Sequence, residues 1–328
     1  MNPTRRRVLT MAGANAAAWV VAGSALAAGY PDRPLKLIMP YPPGGGAAQW
    51  ARIVVAKLEK VLGQTVVFDY RPGGSTTIGA EAAARAAPDG YTIHLVDSTA
   101  FAYVPNLRKV NYDPIRSFTV LGPLGALPLM IVAHPSVPVR NIQELVAYAR
   151  ANPGKLNCAS AGVGSPHHLI AEFFKIRAGI SMNHVPYKGA VQYLADLVGG
   201  QVDLAVSTLA PAIPYLQAGR IKALGMSTAK RSLALPEVPT IAEQGFEGFD
   251  EKPWNCFVGP AGMPAEPLER LRAALRTVYE DREVVTALNK AGVEEVGAMQ
   301  IPQIGEQMRK DLAKWGDVIR QAKITIES

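Results

Sequence analysis

The chain reads as an α/β protein of two units, each a mostly parallel sheet flanked by helices, and three observations lead there. Residues 35–39 form a short apolar run. Pro40-Tyr41-Pro42-Pro43-Gly44-Gly45-Gly46 joins it to a helix whose Ala51, Val54, Val55, Leu58, Val61 and Leu62 keep the spacing of one buried stripe. The same strand, loop and helix follow at residues 65–70, Arg71-Pro72-Gly73-Gly74-Ser75-Thr76-Thr77 and an alanine-rich helix over 78–87. Far along the chain the design returns at residues 156–160, Ala161-Gly162-Val163-Gly164-Ser165-Pro166 and a helix that buries Leu169, Ile170, Phe173 and Phe174. Strands alternating with helices imply parallel sheets.

The remaining elements follow from local signals. Gly63 ends the first helix, Pro88-Asp89-Gly90 is a turn, and a third strand over 91–96 ends in Asp97-Ser98-Thr99. An apolar strand over 127–133 closes at His134-Pro135. Asn141, with Glu144 three residues on, opens a helix that runs to Arg150 and stops at Asn152-Pro153-Gly154. Ser165 is a natural N-cap and Pro166 a first helical residue. His184-Val185-Pro186-Tyr187-Lys188-Gly189 leads to a helix through Leu194 and Leu197, and a strand over 203–206 ends at Ser207-Thr208. Pro211 opens a helix to about Ala218, a strand covers 223–226, and 236–249 is a linker. A last strand over 254–260 precedes helices near 267–279, 283–291 and 302–322. Chain crossings between the two units fall near 120–130 and 248–260.

At 328 residues, 48% hydrophobic and 19% charged, the chain has material for two domains and is not of disordered composition. Residues 1–27 carry the parts of an export signal: basic Arg5-Arg6-Arg7, an apolar stretch from Met11 to Leu26, and small residues at Ala25-Leu26-Ala27. Thr4 to Leu9 also resembles a twin-arginine signal, so both export routes stay open. Removing the three arginines lowers the formal charge from +7 to +4. What remains is scattered and not interleaved with aromatics, which argues against a nucleic-acid partner. No other run is long enough to span a bilayer, and the mature protein is expected to be soluble and monomeric in the periplasm. Cys158 and Cys256 both sit in strand-like runs, where a buried free thiol is the commoner state; their pairing is left open.

The loops at the carboxyl ends of the strands are where ligands gather in an open parallel sheet. Three glycines at 44–46 let the backbone approach a ligand closely, with N–H groups unspent at a helix start, an arrangement suited to an anion. Hydroxyls at Ser75, Thr76, Thr77, Ser98 and Thr99 add donors. Ser165 marks a second helix start of the same kind. No Gly-Lys-Ser/Thr follows the first loop and no third glycine completes a dinucleotide fingerprint, so a carboxylate is preferred over phosphate and no cofactor is expected. His167 and His168 point about 100° apart on a helix, with no acidic or cysteine partner near in sequence, which argues against a metal. Ser160 or Ser165 lacks a Gly-x-Ser-x-Gly setting, which argues against a hydrolase.

With these motifs in place, the chain resembles the periplasmic solute-binding proteins of the tripartite tricarboxylate transporter family, also called Bug receptors. The resemblance spans the mature chain and rests on Tyr30-Pro31-Asp32-Arg33-Pro34, Pro42 to Gly46, Arg71-Pro72-Gly73, Ala87 to Tyr91, His184 to Gly189, Ala218-Gly219-Arg220, Val238-Pro239-Thr240 and Pro260-Ala261-Gly262. It implies a type II periplasmic-binding-protein clamshell, with residues 28–125 and 255–328 as one lobe and 126–254 as the other. Such a receptor closes on a small carboxylate and delivers it to membrane transporter subunits, without chemistry of its own. One ligand carboxylate is expected at Gly44, Gly45, Gly46, Ser98 and Thr99, and the other at Ser160, Gly162, Gly164 and Ser165. Tyr41, Ala47, Ser75, Thr77, His168, Ser207 and Thr208 complete the expected lining. Many relatives have Thr-Asp where this chain has Ala47-Ala48, and Asp-Asn where it has Ser207-Thr208; the missing acids argue against an amino-acid ligand. Tyr41, Trp50, Phe101, Tyr103 and Trp254 are candidates to flank an aromatic diacid, with an aliphatic or citrate-like acid equally open. A receptor serving a signalling partner is the alternative.

Overall fold

The computed structural model describes residues 29–44 and 46–325; the expected export signal and Gly45 lie outside them. The chain opens with β1 (Leu35–Met39), α1 (Gly46–Leu62), β2 (Val66–Tyr70), α2 (Thr77–Ala84) and β3 (Thr92–Asp97). A π-helical turn over Thr99–Tyr103 runs into α3 (Val104–Leu107), and the chain returns as β4 (Phe118–Ala126). A second sheet is then laid down by β5 (Leu129–Ala133), α4 (Ile142–Ala151), β6 (Asn157–Ser160), α5 (Pro166–Ala178), β7 (Asn183–Pro186), α6 (Ala190–Val198), β8 (Leu204–Thr208), α7 (Leu209–Gln217) and β9 (Lys222–Met226). The chain recrosses into β10 (Trp254–Pro260) and finishes with α8 (Ala265–Glu280), α9 (Arg282–Lys290) and α10 (Ile301–Gln321).

The two five-stranded sheets follow one plan, β2-β1-β3-β10-β4 and β7-β6-β8-β5-β9. In each, the fourth strand is antiparallel to both neighbours. The crossings explain this. β10 enters its sheet where β3 and β4 finish, with Asn255 beside Asp97 and Trp254 beside Ala126, so it can only run back along them. β5 does the same, with Leu129 beside Thr208 at the end of β8. The crossings lie side by side: Leu127 N–H donates to Pro253 O (2.8 Å), Glu251 N–H to Ser227 O (2.7 Å) and Ser227 N–H to Leu129 O (2.8 Å). The carboxyl ends of the parallel strands in both sheets therefore converge on this junction.

Packing follows the sequence stripes. Ala51, Val54, Val55, Leu58 and Leu62 of α1 are buried against Leu35, Leu37 and Ile93 of the sheet and Leu271, Leu275 and Val278 of α8. α10 reaches both units: Trp315, 2% exposed, meets Tyr103 edge-on at 5.2 Å and Phe173 of α5 at 6.0 Å. Cys158 and Cys256 are buried free thiols, one in each sheet. No helix among the described residues is long and apolar enough to cross a membrane.

Three elements go beyond the sequence reading. β4 contains Gly122, Pro123 and Gly125 and so resembles a linker, yet it pairs with β10 through two register shifts that absorb the irregularity. β7 is an edge strand ending in Pro186, a position where the missing N–H costs the ladder nothing. Residues 99–107 are helical, a stretch to which the sequence reading assigned no element beyond Thr99. The second helix also stops at Ala84, short of 87.

Candidate functional site

In the first sheet, three strand-end loops are gathered by one buried acid. Asp97, 5% exposed at the end of β3, accepts hydrogen bonds from the Tyr41 hydroxyl of the first loop, from Thr76 Oγ1 of the second (3.2 Å) and from the Ala100 N–H (3.1 Å). Burial raises the Asp97 carboxyl pKa, against the lowering effect of these bonds. Burial, reinforced by Asp97, also pushes the Tyr41 hydroxyl well above its ordinary value. Gly44 takes a left-handed φ of +89°, which brings the chain into the start of α1 at Gly46. The second loop is tighter, with positive φ at Gly73, Gly74, Ser75 and Thr76 in succession. Two non-glycine residues in that region cost on the order of 1–3 kcal/mol each. The loop is held by Thr77 Oγ1 and by the Arg108 guanidinium, which donate to Gly74 O at 2.7 and 2.8 Å.

The second sheet carries a different device. Ser165 caps α5 by accepting the His168 N–H (3.3 Å), and Gly164 N–H donates to His168 Nδ1 (3.1 Å). The ring proton of His168 therefore sits on Nε2, 3.5 Å from Glu172 Oε1. Lys175 Nζ lies 2.7 Å from the same carboxylate. Burial works against the Glu172 charge, but the bonds from His168 and Lys175 prevail and hold its pKa below the usual range. His184 lies flat on His168, and its Nε2 is 2.6 Å from Ser160 Oγ. Burial, then the neighbouring His168, lowers the His184 pKa to about 4. Burial alone does the same to His167, whose two ring nitrogens have no partner among the described residues.

These contacts sort the expected lining. Tyr41, Gly44 and Gly46 frame the first loop, while Ala47 turns into the core at 7% exposure and Gly45 lies outside the described residues. Ser75 is exposed, Thr77 is tied to Gly74, and Thr99 is buried. Ser98 serves the junction: its Oγ accepts the Trp254 N–H (3.0 Å). Ser160 is fully buried and accepts the Gly162 N–H (3.1 Å). The Gly162 and Gly164 amides are thus engaged within their own loop, and the His167 N–H is the first-turn donor of α5 left without an intrahelical partner. Ser207 is fully buried and hydrogen-bonded to the Tyr193 hydroxyl (3.0 Å). Thr208, half-buried at the N-cap of α7, makes no capping bond with its hydroxyl.

Four of the five aromatic candidates have structural work. Phe101, Tyr103 and Trp254 are buried, with Phe101 and Trp254 packed at 4.7 Å. Trp50 donates its indole N–H to Ala291 O (3.0 Å). Only Tyr41 stays beside the strand ends. The residues that a search for loop donors overlooked are Asp97, His184, Glu172 and Arg108. Asp97 carried one available signal, an acid closing a strand whose preceding residues, Leu95 and Val96, are apolar.

A separate cavity of about 250 Å³ lies between α10, β4 and β10, lined in part by Glu251, Trp254, Asn255, Asp311, Lys314 and Trp315. Its charges are mutually paired, with Lys314 Nζ 2.5 Å from Glu251, and Lys252 2.9 Å from Asp250 and 2.7 Å from Glu295. Of the expected ligand residues only Trp254 lines it, and none of the expected carboxylate contacts does.

Residues 50–324 match the family model described as the tripartite tricarboxylate transporter family receptor. The chain belongs to that family. It is 31% identical over 323 residues to protein BugT of Bordetella pertussis, covering 98% of each chain. Among solved structures it resembles Rpa4515 of R. palustris with adipate, with 32% identity, a TM-score of 0.77 and coverage of 90% of this chain and 99% of that one. It also resembles MatC of Rhodopseudomonas palustris with bound malate, with 28% identity, a TM-score of 0.73 and coverage of 88% and 100%. The family is one of periplasmic solute-binding receptors, not of enzymes.

Proposed function

We propose that this receptor captures a small di- or tricarboxylate between two lobes, residues 28–125 with 255–328 and residues 126–254, and delivers it to a membrane transporter of the tripartite tricarboxylate type. Export by the signal at residues 1–27 places it in the periplasm beside that transporter.

The observation that carries this reading is the repeated plan of the two sheets, whose strand ends meet at one double crossing. Helix starts at Gly46, Pro166 and Leu209 stand among those ends, each with N–H groups that lack intrahelical partners. On one side the ligand has the first turn of α1 and the Ser75 hydroxyl; on the other it has the His167 amide and the Thr208 hydroxyl. A diacid long enough to touch both favours closure, because only the closed form makes both sets of contacts. Two structurally similar relatives hold adipate and malate, which supports the ligand class.

Thermal shift of the mature protein against a panel of organic acids tests this. An acid at about 100 times its Kd adds about 2.7 kcal/mol of stability. Gly46→Asp abolishes that gain by setting a carboxylate in the anion position, while the helix tolerates an acid in its first turn. The added Cβ meets the Trp50 ring at 3.3 Å, which a side-chain adjustment absorbs. An undiminished shift in Gly46→Asp, or no shift with any acid, contradicts the reading.

A further inference from the structure

The wall around Tyr41 is unusual for an anion site, because a buried carboxylate stands directly behind it. Three groups converge on Asp97: the hydroxyls of Tyr41 and Thr76 and the N–H of Ala100. A backbone N–H can only donate, and Asp97 receives it on the oxygen that also meets Thr76, while the Tyr41 hydroxyl donates to the other oxygen. Each hydroxyl has one proton. Tyr41 and Thr76 have spent theirs on Asp97, and what their oxygens still offer is lone pairs. The other titratable groups acting on Asp97 or acted on by it are Tyr103, Tyr112 and Cys256, all neutral when protonated, so among the described residues the carboxylate has no cationic partner at hydrogen-bond distance. Thr76 is 6% exposed, whereas Tyr41 is half-buried, the more open of the two side chains.

We propose that Asp97 fixes Tyr41 as a hydrogen-bond acceptor and thereby makes the receptor select a hydroxy-carboxylate, with the ligand hydroxyl donating to Tyr41 Oη and its carboxylate kept to the neighbouring start of α1. A carboxylate placed against Tyr41 meets lone pairs, with a second negative charge behind them. A hydroxyl placed there completes the chain ligand O–H to Tyr41 O–H to Asp97. Asp97 is a positioning residue in this arrangement, and Tyr41 makes the contact. The inference rests on the carboxylate-receptor reading and narrows it.

Matched acids test it: malate against succinate, and citrate against tricarballylate, titrated calorimetrically into wild type, Tyr41→Phe and Asp97→Asn. In wild type at least one hydroxy acid binds about tenfold or more tighter than its deoxy partner, the penalty for an unmet hydrogen bond. Tyr41→Phe brings that ratio to about one. Asp97→Asn turns its amide toward Tyr41, releases the phenol proton to the ligand and reverses the preference, which a purely structural role for Asp97 does not do. If Asp97→Asn fails to fold, Tyr41→Phe decides alone. Equal binding of both partners by wild type, or an unchanged ratio in Tyr41→Phe, overturns the inference and leaves the carboxylate reading standing. Binding of none of the four acids overturns the inference, and the carboxylate reading is then decided by the full acid panel.

Discussion

The imidazoles of His168 and His184 lie parallel, with ring centroids 3.6 Å apart and planes within 7°. Both rings brace the loop that follows β6, since His168 of α5 anchors the Gly164 amide and His184 of β7 meets Ser160. A proton on His184 sets a charge against the stacked ring. With a folded pKa of about 4 against about 6.5 when unfolded, the unfolded chain takes up the proton first. The stabilising contribution is thus complete above about pH 6.5 and is lost as pH falls toward 4. His184→Asn flattens the dependence of Tm on pH across that window; an unchanged slope contradicts the account.

His94 shows the same sign. It is fully buried, Nδ1 contacts Ile38 O at 2.9 Å, Nε2 has no partner among the described residues, and burial lowers its pKa to about 4. One such group contributes up to about 1.4 kcal/mol per pH unit between pH 6.5 and 4. Urea unfolding of His94→Gln at pH 5 and pH 7 measures it. The gap between the two pH values shrinks relative to wild type.

Trp315 ties α10 to both units through Tyr103 and Phe173. Trp315→Ala costs about 3–5 kcal/mol by opening a cavity in that contact. A chemical denaturation midpoint that moves by less than about 1 kcal/mol places the tryptophan outside the core and contradicts the packing.

Ser165→Ala removes the side-chain cap of α5 and costs about 1 kcal/mol. The same change weakens ligand binding only modestly, because the Ser165 hydroxyl serves the helix. A loss of all binding without loss of stability reassigns Ser165 to direct ligand contact.

Much of this molecule is legible along the chain, and the exceptions have physical causes. The stripe in α1, the Asn141 and Ser165 caps and the buried strands are local patterns, and the structure reproduces them. β4 is hidden because its glycines and proline imitate a linker; only its non-local pairing with β10 makes it a strand. At the strand ends, glycines and hydroxyls mark the loops but not the state of their hydrogen bonds. Gly162 and Gly164 look like open donors and are engaged by Ser160 and His168, Ser98 serves Trp254, and Ser207 faces Tyr193. Asp97 and Tyr41 lie 56 residues apart, and nothing local announces that they meet.

The most direct measurement is a crystal structure of the mature protein with its tightest-binding acid. The account predicts an elongated acid at the double crossing, one carboxylate within hydrogen-bond reach of the Gly46 amide and its far end near His167 and Thr208. An acid seated instead in the cavity between α10, β4 and β10, or touching the loops of one sheet alone, contradicts it.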